Sequence, residues 1–510
     1  MKINFTVNFI KIYFWNFISI ILNFAALFVV VPYISSNKEL YGVYALCMSL
    51  NIFLSYADLG FIGAGKKFAS EYFANNDLKK SIDTIGFSVF FLSIFLIFFI
   101  IGFAILGFSP ELMFGEFINN NTYDVASSLF FILSFSTPII LFQQLVNSIF
   151  GIRLENYIPQ KINILGSLIK IVSIFYFFNN TYDLVGYFIF FQFINFLAVI
   201  AQLFVINSKY KLNIINILST IKFNKKIYDK VSKLAYSSLF ITISWILYYE
   251  LDNMVIGKIL GPSELAIYAV GFTILGFYRS LIAIFYSPFV TRFNHFIGLN
   301  QMIEFDILYK DLVKFSVPII IIPIMTLIIF AEPLVISWVG NSYADSIIIV
   351  KLLLFANIFS FISIPTSLIL NSLLRLKELY IINTIIPIVF WIGILTTIEF
   401  FGVKSFALFK LISFMILAFF CSYIYIDYTK SSIASTVKNI VKSTISPSLL
   451  FVYFAGNYLL NNYPIYEKSS INLLKTSLIV IIVILLAFII QILIDKDIKS
   501  KIFKLYNKEI

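Results

Sequence analysis

The chain has 510 residues, 60% of them hydrophobic and only 12% charged, with a net charge of +11 and a mean hydropathy of +0.95. Such a composition excludes a set of soluble domains, because apolar runs recur along the whole length with no polar stretch long enough to fold alone. The positive charge does not mark a nucleic-acid binder either, since its lysines lie on short loops without a compact reading domain.

A spanning helix needs about 20 mostly apolar residues, and about fourteen runs meet that requirement. In chain order they are 12–34, 41–63, 82–106, 126–150, 160–178, 184–206, 237–259, 265–289, 313–331, 346–371, 379–398, 403–426, 444–461 and 472–494. The fifth, eleventh and thirteenth are the weakest, which leaves twelve as the alternative count. The expectation is an all-α polytopic membrane protein: a six-helix bundle over 1–206, a cytoplasmic linker over 207–236, a second six-helix bundle over 237–426, and two additional spans with a basic tail over 427–510. The first run is too long for a signal-peptide core and reads as a retained helix. The linker carries Ile214, Ile217, Leu218 and Ile221 in an amphipathic pattern, which predicts a helix lying on the inner leaflet.

Basic residues divide unevenly between the two sets of loops. Lys66, Lys67, Lys79, Lys80, the lysines from Lys209 to Lys233 and those from Lys496 to Lys508 fall on one side. Only Lys38, Lys258, Lys404 and Lys468 fall on the other. This is the positive-inside bias, and it places both termini in the cytoplasm. The basic loops also suit anionic headgroups of membrane lipids. Cys47 and Cys421 both lie in apolar spans and His295 stands alone, so neither a disulfide framework nor a metal site is expected, and no cofactor is called for.

The two six-span halves echo one another. Asn37-Lys-Glu-Leu-Tyr-Gly-Val-Tyr-Ala-Leu46 matches Gly261-Pro-Ser-Glu-Leu-Ala-Ile-Tyr-Ala-Val270, and one constant offset pairs Val31 with Val255, Tyr44 with Tyr268 and Ala45 with Ala269. Six spans per half is an even number, so both halves enter the membrane the same way and form a parallel pseudo-two-fold repeat.

The segment Leu251-Asp-Asn-Met-Val-Ile-Gly-Lys-Ile-Leu-Gly-Pro262 followed by Tyr268-Ala-Val270 resembles a helix signature of polysaccharide-export flippases. Glu39-Leu-Tyr-Gly-Val-Tyr44, Ala57-Asp-Leu-Gly60 and Lys66-Lys-Phe-Ala-Ser-Glu71 resemble the second helix and following loop of the same proteins. These are the Wzx-type O-antigen flippases of the multidrug/oligosaccharidyl-lipid/polysaccharide (MOP) exporter superfamily. The resemblance runs from about residue 10 to 430, with Ala266 standing where the first copy has Gly42. It implies two bundles facing a central cleft, alternating access, and a cargo of oligosaccharide on undecaprenyl diphosphate, as used for O-antigen or capsule in a bacterial inner membrane. A relative that flips the peptidoglycan precursor adds two C-terminal helices that hold the lipid tail, and the resemblance implies, as an expectation, the same role for the last two spans here.

Five cations lie inside the apolar runs: Lys170, Arg279, Lys351, Lys410 and Lys475. Each costs roughly 2.5–3.5 kcal/mol by insertion scales, so such groups are kept where they face a watery interior or an anionic cargo. Arg279 has Gly276 and Ala283 on its face and offers a fork for phosphate oxygens; the alternative is a pair with Glu250 or Asp252. Lys170 ends the stripe Asn163, Ser167, Lys170, spaced for one helix face, and either lines a cleft or snorkels to the interface. Lys351 and Lys475 sit near span ends and suit snorkelling. Lys410 contacts cargo or pairs with an acid. Asn51, Ser55 and Asp58 on the second span, with Asn16, Ser19 and Asn23 on the first, predict the inner half of a cleft. Gln143, Gln144, Asn147, Gln192, Asn195, Asn357 and Ser360 join helices or read sugar hydroxyls.

The intramembrane acids Asp58, Glu250 and Asp252 are the candidates for coupling to H+ or Na+, since burial favours the protonated form. For Asp252 a hydrogen-bonding role near the outer helix end competes with coupling. The leading function is a flippase for lipid-linked oligosaccharide. The rival within the superfamily is a drug or organic-cation antiporter, which would concentrate carboxylates in its core. An enzyme would need a large outer loop with paired catalytic acids, and neither 107–125 nor 332–345 supplies one.

Overall fold

The computed structural model describes residues 5–430 except 57, 59, 180, 181 and 374, residues 467–495, and isolated positions between 432 and 449 and at 499. Among the described residues there is no strand, and 12 helices are long and apolar enough to cross a membrane. Two of the fourteen expected spans are missing from that set. The run 444–461 lies almost wholly outside the described residues. The run 41–63 is not one helix.

By contacts the chain separates into two compact units, Met1–Ala269 and Val270–Ile510. This division cuts through a helix and differs from the sequence repeat, whose halves we retain as a proposal. The first unit contains α1 (Phe5–Ile34), α2 (Lys38–Phe53), α3 (Phe61–Ala74), α4 (Leu78–Phe108), α5 (Glu111–Phe114), α6 (Asn120–Gly151), α7 (Tyr157–Asn179), α8 (Leu184–Tyr210), α9 (Ile214–Leu218), α10 (Lys225–Trp245) and α11 (Asp252–Ile259). α12 (Pro262–Gly298) runs from the first unit into the second. The second unit continues with α13 (Met302–Ile329), α14 (Ala331–Val339), α15 (Ala344–Ser372), α16 (Leu376–Phe401), α17 (Lys404–Thr429) and α18 (Ser470–Ile494).

Polar loop residues start these helices by satisfying backbone N–H groups that have no partner in the first turn. Asn37 accepts the Leu40 N–H at 3.2 Å, Asp77 that of Lys80 at 3.1 Å, Asn119 that of Thr122 at 2.9 Å and Asp183 that of Gly186 at 2.7 Å. Each begins a helix that apolar residues then continue.

The second expected span stops at Phe53, gives way to one 3-10 turn at Leu54–Tyr56, and restarts at Phe61. The cause is local. Gly60 holds φ +82°, a left-handed value that ends one helical direction and opens another. The Asp58 carboxylate then accepts the Ile62 N–H at 3.0 Å as a cap on α3. The seventh expected span is also interrupted, by a π-helical turn at Ile246–Glu250 before α11.

The linker forms a short helix where the amphipathic pattern lies, and one face of it is packed against protein. α9 is a single short stretch, Ile217 is buried, and a Cβ at Gly86 would come within 2.5 Å of the Thr220 carbonyl oxygen, so the linker packs against α4. The lysine-rich segment from Lys225 is already helix. It docks on α3 and α4 through Phe61, Ala64, Phe87, Val231 and Ala235, with Lys230 3.7 Å from Glu71 at the rim.

In the first unit α4 packs on α6, α1 on α7, and α8 on both α6 and α7. In the second, α15 packs on α13 and α17, α16 on α17, and α18 on α13 and α14. Lipid tails are as apolar as these helices, so close packing and interhelical hydrogen bonds hold them together more than exclusion of water does.

Candidate functional site

Five helices of the first unit, α1, α2, α6, α7 and α8, surround a cavity of about 270 Å³. Polar side chains from each reach it: Asn23, Asn51, Gln143, Asn163 and Ser167, Lys170, and Gln192 with Asn195. The i, i+4, i+7 spacing of Asn163, Ser167 and Lys170 puts them on one face of α7, and that face is buried against α1 and α8.

Hydrogen bonds lock the wall. The Ser167 hydroxyl donates to Asn23 Oδ1 at 2.8 Å, tying α7 to α1. Gln202 Nε2 donates to Asn163 Oδ1 at 2.8 Å, tying α8 to α7. Lys170 Nζ donates to Asn195 Oδ1 at 2.6 Å, and Asn195 Nδ2 passes the chain on to Gln192 Oε1 at 3.0 Å. The ammonium also stands 3.9 Å from the centroid of the Phe191 ring, a cation–π geometry. Lys170 is just past the middle of its 23-residue helix and only 7% exposed, so it does not snorkel to the interface. Two of its three N–H donors remain for a ligand beyond the Asn195 bond.

Among the described residues no carboxylate lines this cavity, and Lys170 is the charged residue of its lining. Its chemistry is that of an anion site: one buried cation, amide donors, and a hydroxyl. Asn23, Asn51 and Gln143 from the expected stripes on α1, α2 and α6 meet here with the full α7 stripe and with Gln192 and Asn195 of α8, whereas Asn16, Ser19, Gln144 and Asn147 are not in the lining. Phe191 and Gln202 were not singled out by sequence; the ring is marked only by the Lys170 ammonium over its face.

The remaining predicted residues lie elsewhere. Asp58 is the α3 cap described above and is not in the cavity wall; the Ser55 side chain lies outside the described residues. Asp252 is fully buried and accepts the Tyr268 hydroxyl, while neighbouring Asn253 donates to Ser49. Glu250 is buried in the π-helical turn, beside Tyr249, which stacks on Trp245 at 4.2 Å. In the second unit, Arg279 and Lys410 lie against one ring: their cationic groups are 5.8 and 5.7 Å from the Phe272 centroid. Lys410 is fully buried and also lies 5.5 Å from the Phe390 ring. Lys475 is exposed near the start of α18.

No protein-family model matches the chain, and no curated protein matches its sequence. Solved structures do match. The lipid II flippase MurJ in an inward closed conformation superposes with a TM-score of 0.65 at 17% identity, over 95% of this chain and 99% of that one. An inward-facing multidrug-resistance MATE transporter of the MOP superfamily gives 0.61 at 14% identity, over 82% and 96%. A MOP superfamily transporter from Pyrococcus furiosus, described by the reversed polarity of its binding pocket, gives 0.53 at 12% identity, over 83% and 96%. At these identities the likeness is one of fold: the chain has the fold of MOP superfamily transporters and flippases.

Proposed function

We propose that the chain is a flippase that moves a lipid-linked oligosaccharide, with its diphosphate linkage, across a bacterial cytoplasmic membrane for surface polysaccharide assembly. The observation that carries this reading is the sign of the cavity: a buried Lys170 ringed by amides, with no acid among the described residues of its lining. An ionised group stripped of water needs fixed charges and donors in its place, and this wall supplies them for an anion. An organic-cation antiporter with the same fold would present carboxylates to its cargo. Asn163 and Asn51 extend the wall toward sugar hydroxyls. Arg279 and Lys410 bear the same sign in the second unit, and we extend the anion-binding role to them. Glu250 and Asp252 are assigned to coupling with H+ or Na+, and both termini to the cytoplasm.

The test is transport in vesicles of an undecaprenyl-diphosphate oligosaccharide. A charge-assisted hydrogen bond contributes about 1.5–3 kcal/mol, so Lys170→Gln should slow transport about ten- to hundredfold, with Lys170→Arg restoring much of it. Wild-type rates in a well-inserted Lys170→Gln protein, or transport of cationic dyes in place of the glycolipid, overturn the reading.

A further inference from the structure

The polar cavity has an apolar neighbour. Between α6 and α8 lies a groove of about 460 Å³ lined by Ile132, Phe135, Phe142, Phe193, Phe196 and other apolar side chains, with no charged residue among them. Phe135 is 83% exposed, so the groove opens at the surface of the unit. Cavity and groove adjoin, since Ser136, Ile139 and Gln192 line both.

Gln192 stands at this junction with its hydrogen bonding half complete. It is 6% exposed. Its Oε1 accepts from Asn195, the residue that holds Lys170, while its Nε2 is buried without a partner. A buried donor that has lost water and gained nothing is costly, and a membrane interior offers no solvent to repair it. The order along the path is thus a cation, an amide relay, an unused donor, and then an aromatic trough.

An amphiphile with an anionic head and a long apolar chain matches this order, and a water-soluble anion does not use its second half. We propose that the α6–α8 groove holds the first isoprene units of the cargo's own polyprenyl chain, while the diphosphate sits at Lys170 and Gln192 Nε2 donates to the oxygen joining head to chain. This assignment rests on the function proposed above and places the start of the lipid tail here, not at the last two spans to which the resemblance assigns it. It commits the groove to the cargo chain, against bulk phospholipid, because the groove adjoins a site of opposite charge to the head.

The experiment uses the full chain in phosphatidylcholine nanodiscs and a polyprenyl diphosphate bearing a diazirine in its first isoprene units, with labelled residues mapped by peptide mass spectrometry. Groove positions such as Phe135 and Phe196 should be labelled about fivefold or more above Phe98 and Ile101, exposed positions on α4. Lys170→Gln should bring groove labelling down to that background, an effect of the size of one charge-assisted hydrogen bond. Gln192→Met removes the unused donor at nearly constant volume. It also removes the Oε1 that accepts from Asn195, so labelling is compared only on protein that a thermal-shift measurement shows to be folded, where groove labelling should still fall. The neutral polyprenol analogue should label groove and α4 alike.

Equal labelling of groove and α4 by the diphosphate, or groove labelling indifferent to both substitutions, overturns the placement. Background labelling combined with Lys170-dependent vesicle transport removes the tail site and leaves the flippase reading standing. Lys170-dependent groove labelling without vesicle transport leaves a lipid site and removes the flippase reading.

Discussion

A methyl group at Gly42 would sit 1.8 Å from the carbonyl oxygen of Pro262. The start of α12 therefore runs against the backbone of α2, and only a residue without Cβ fits there. This accounts for the mismatch in the internal repeat: its counterpart, Ala266, is buried yet has room for a side chain. Gly42→Ala should lower stability by about 1–3 kcal/mol, the usual cost of overpacking. Gly63, in α3, has nothing within 4 Å of an added Cβ. Gly63→Ala should be neutral or stabilising by about 0.5–1 kcal/mol through helix propensity. Thermal-shift measurements on the two solubilised variants check both; a Gly42→Ala protein that melts with wild type removes the close approach. Residues of the candidate site were largely legible one by one, as polar positions at helical spacing within apolar runs. Phe191 was not, because one aromatic among 60 Phe carries no mark until Lys170 Nζ is found over its ring.

At the scale of elements, the break in the second expected span gives Asp58 a capping role that competes with the proposed coupling role. As a cap it needs an acceptor oxygen and no proton, and asparagine supplies that oxygen equally well. Asp58→Asn should retain transport within about twofold and full stability, whereas Asp58→Ala should lose about 1 kcal/mol of stability with the cap. If Asp58 serves ion coupling instead, Asp58→Asn loses the ion dependence of transport while melting as wild type. Helix starts were readable wherever Asn, Asp or Ser precedes an apolar run, since capping is a contact between near neighbours in sequence. The fate of the 207–236 linker was not. Ile214, Ile217, Leu218 and Ile221 read as an amphipathic surface, and only the presence of α4, whose Gly86 lies against Thr220, packs Ile217 into the protein.

For the whole molecule, the charge bias makes a prediction about orientation that the fold leaves open. In a background lacking Cys47 and Cys421, both buried, Lys258→Cys and Lys468→Cys should react with a membrane-impermeant maleimide from outside intact cells. Lys79→Cys and Lys226→Cys, both exposed positions, should react only after permeabilisation; the reverse pattern inverts the topology. The sequence by itself determined that the chain belongs in a bilayer, where most of its spans lie, and that cations sit within them, because transfer of a side chain into hydrocarbon is a sum over local composition. Only the tertiary structure decided that polar positions on five helices close around one cavity and that Lys170 points into it. That outcome depends on the rotation of each helix about its axis and on contacts between residues as far apart as Asn23 and Ser167, which no local pattern encodes.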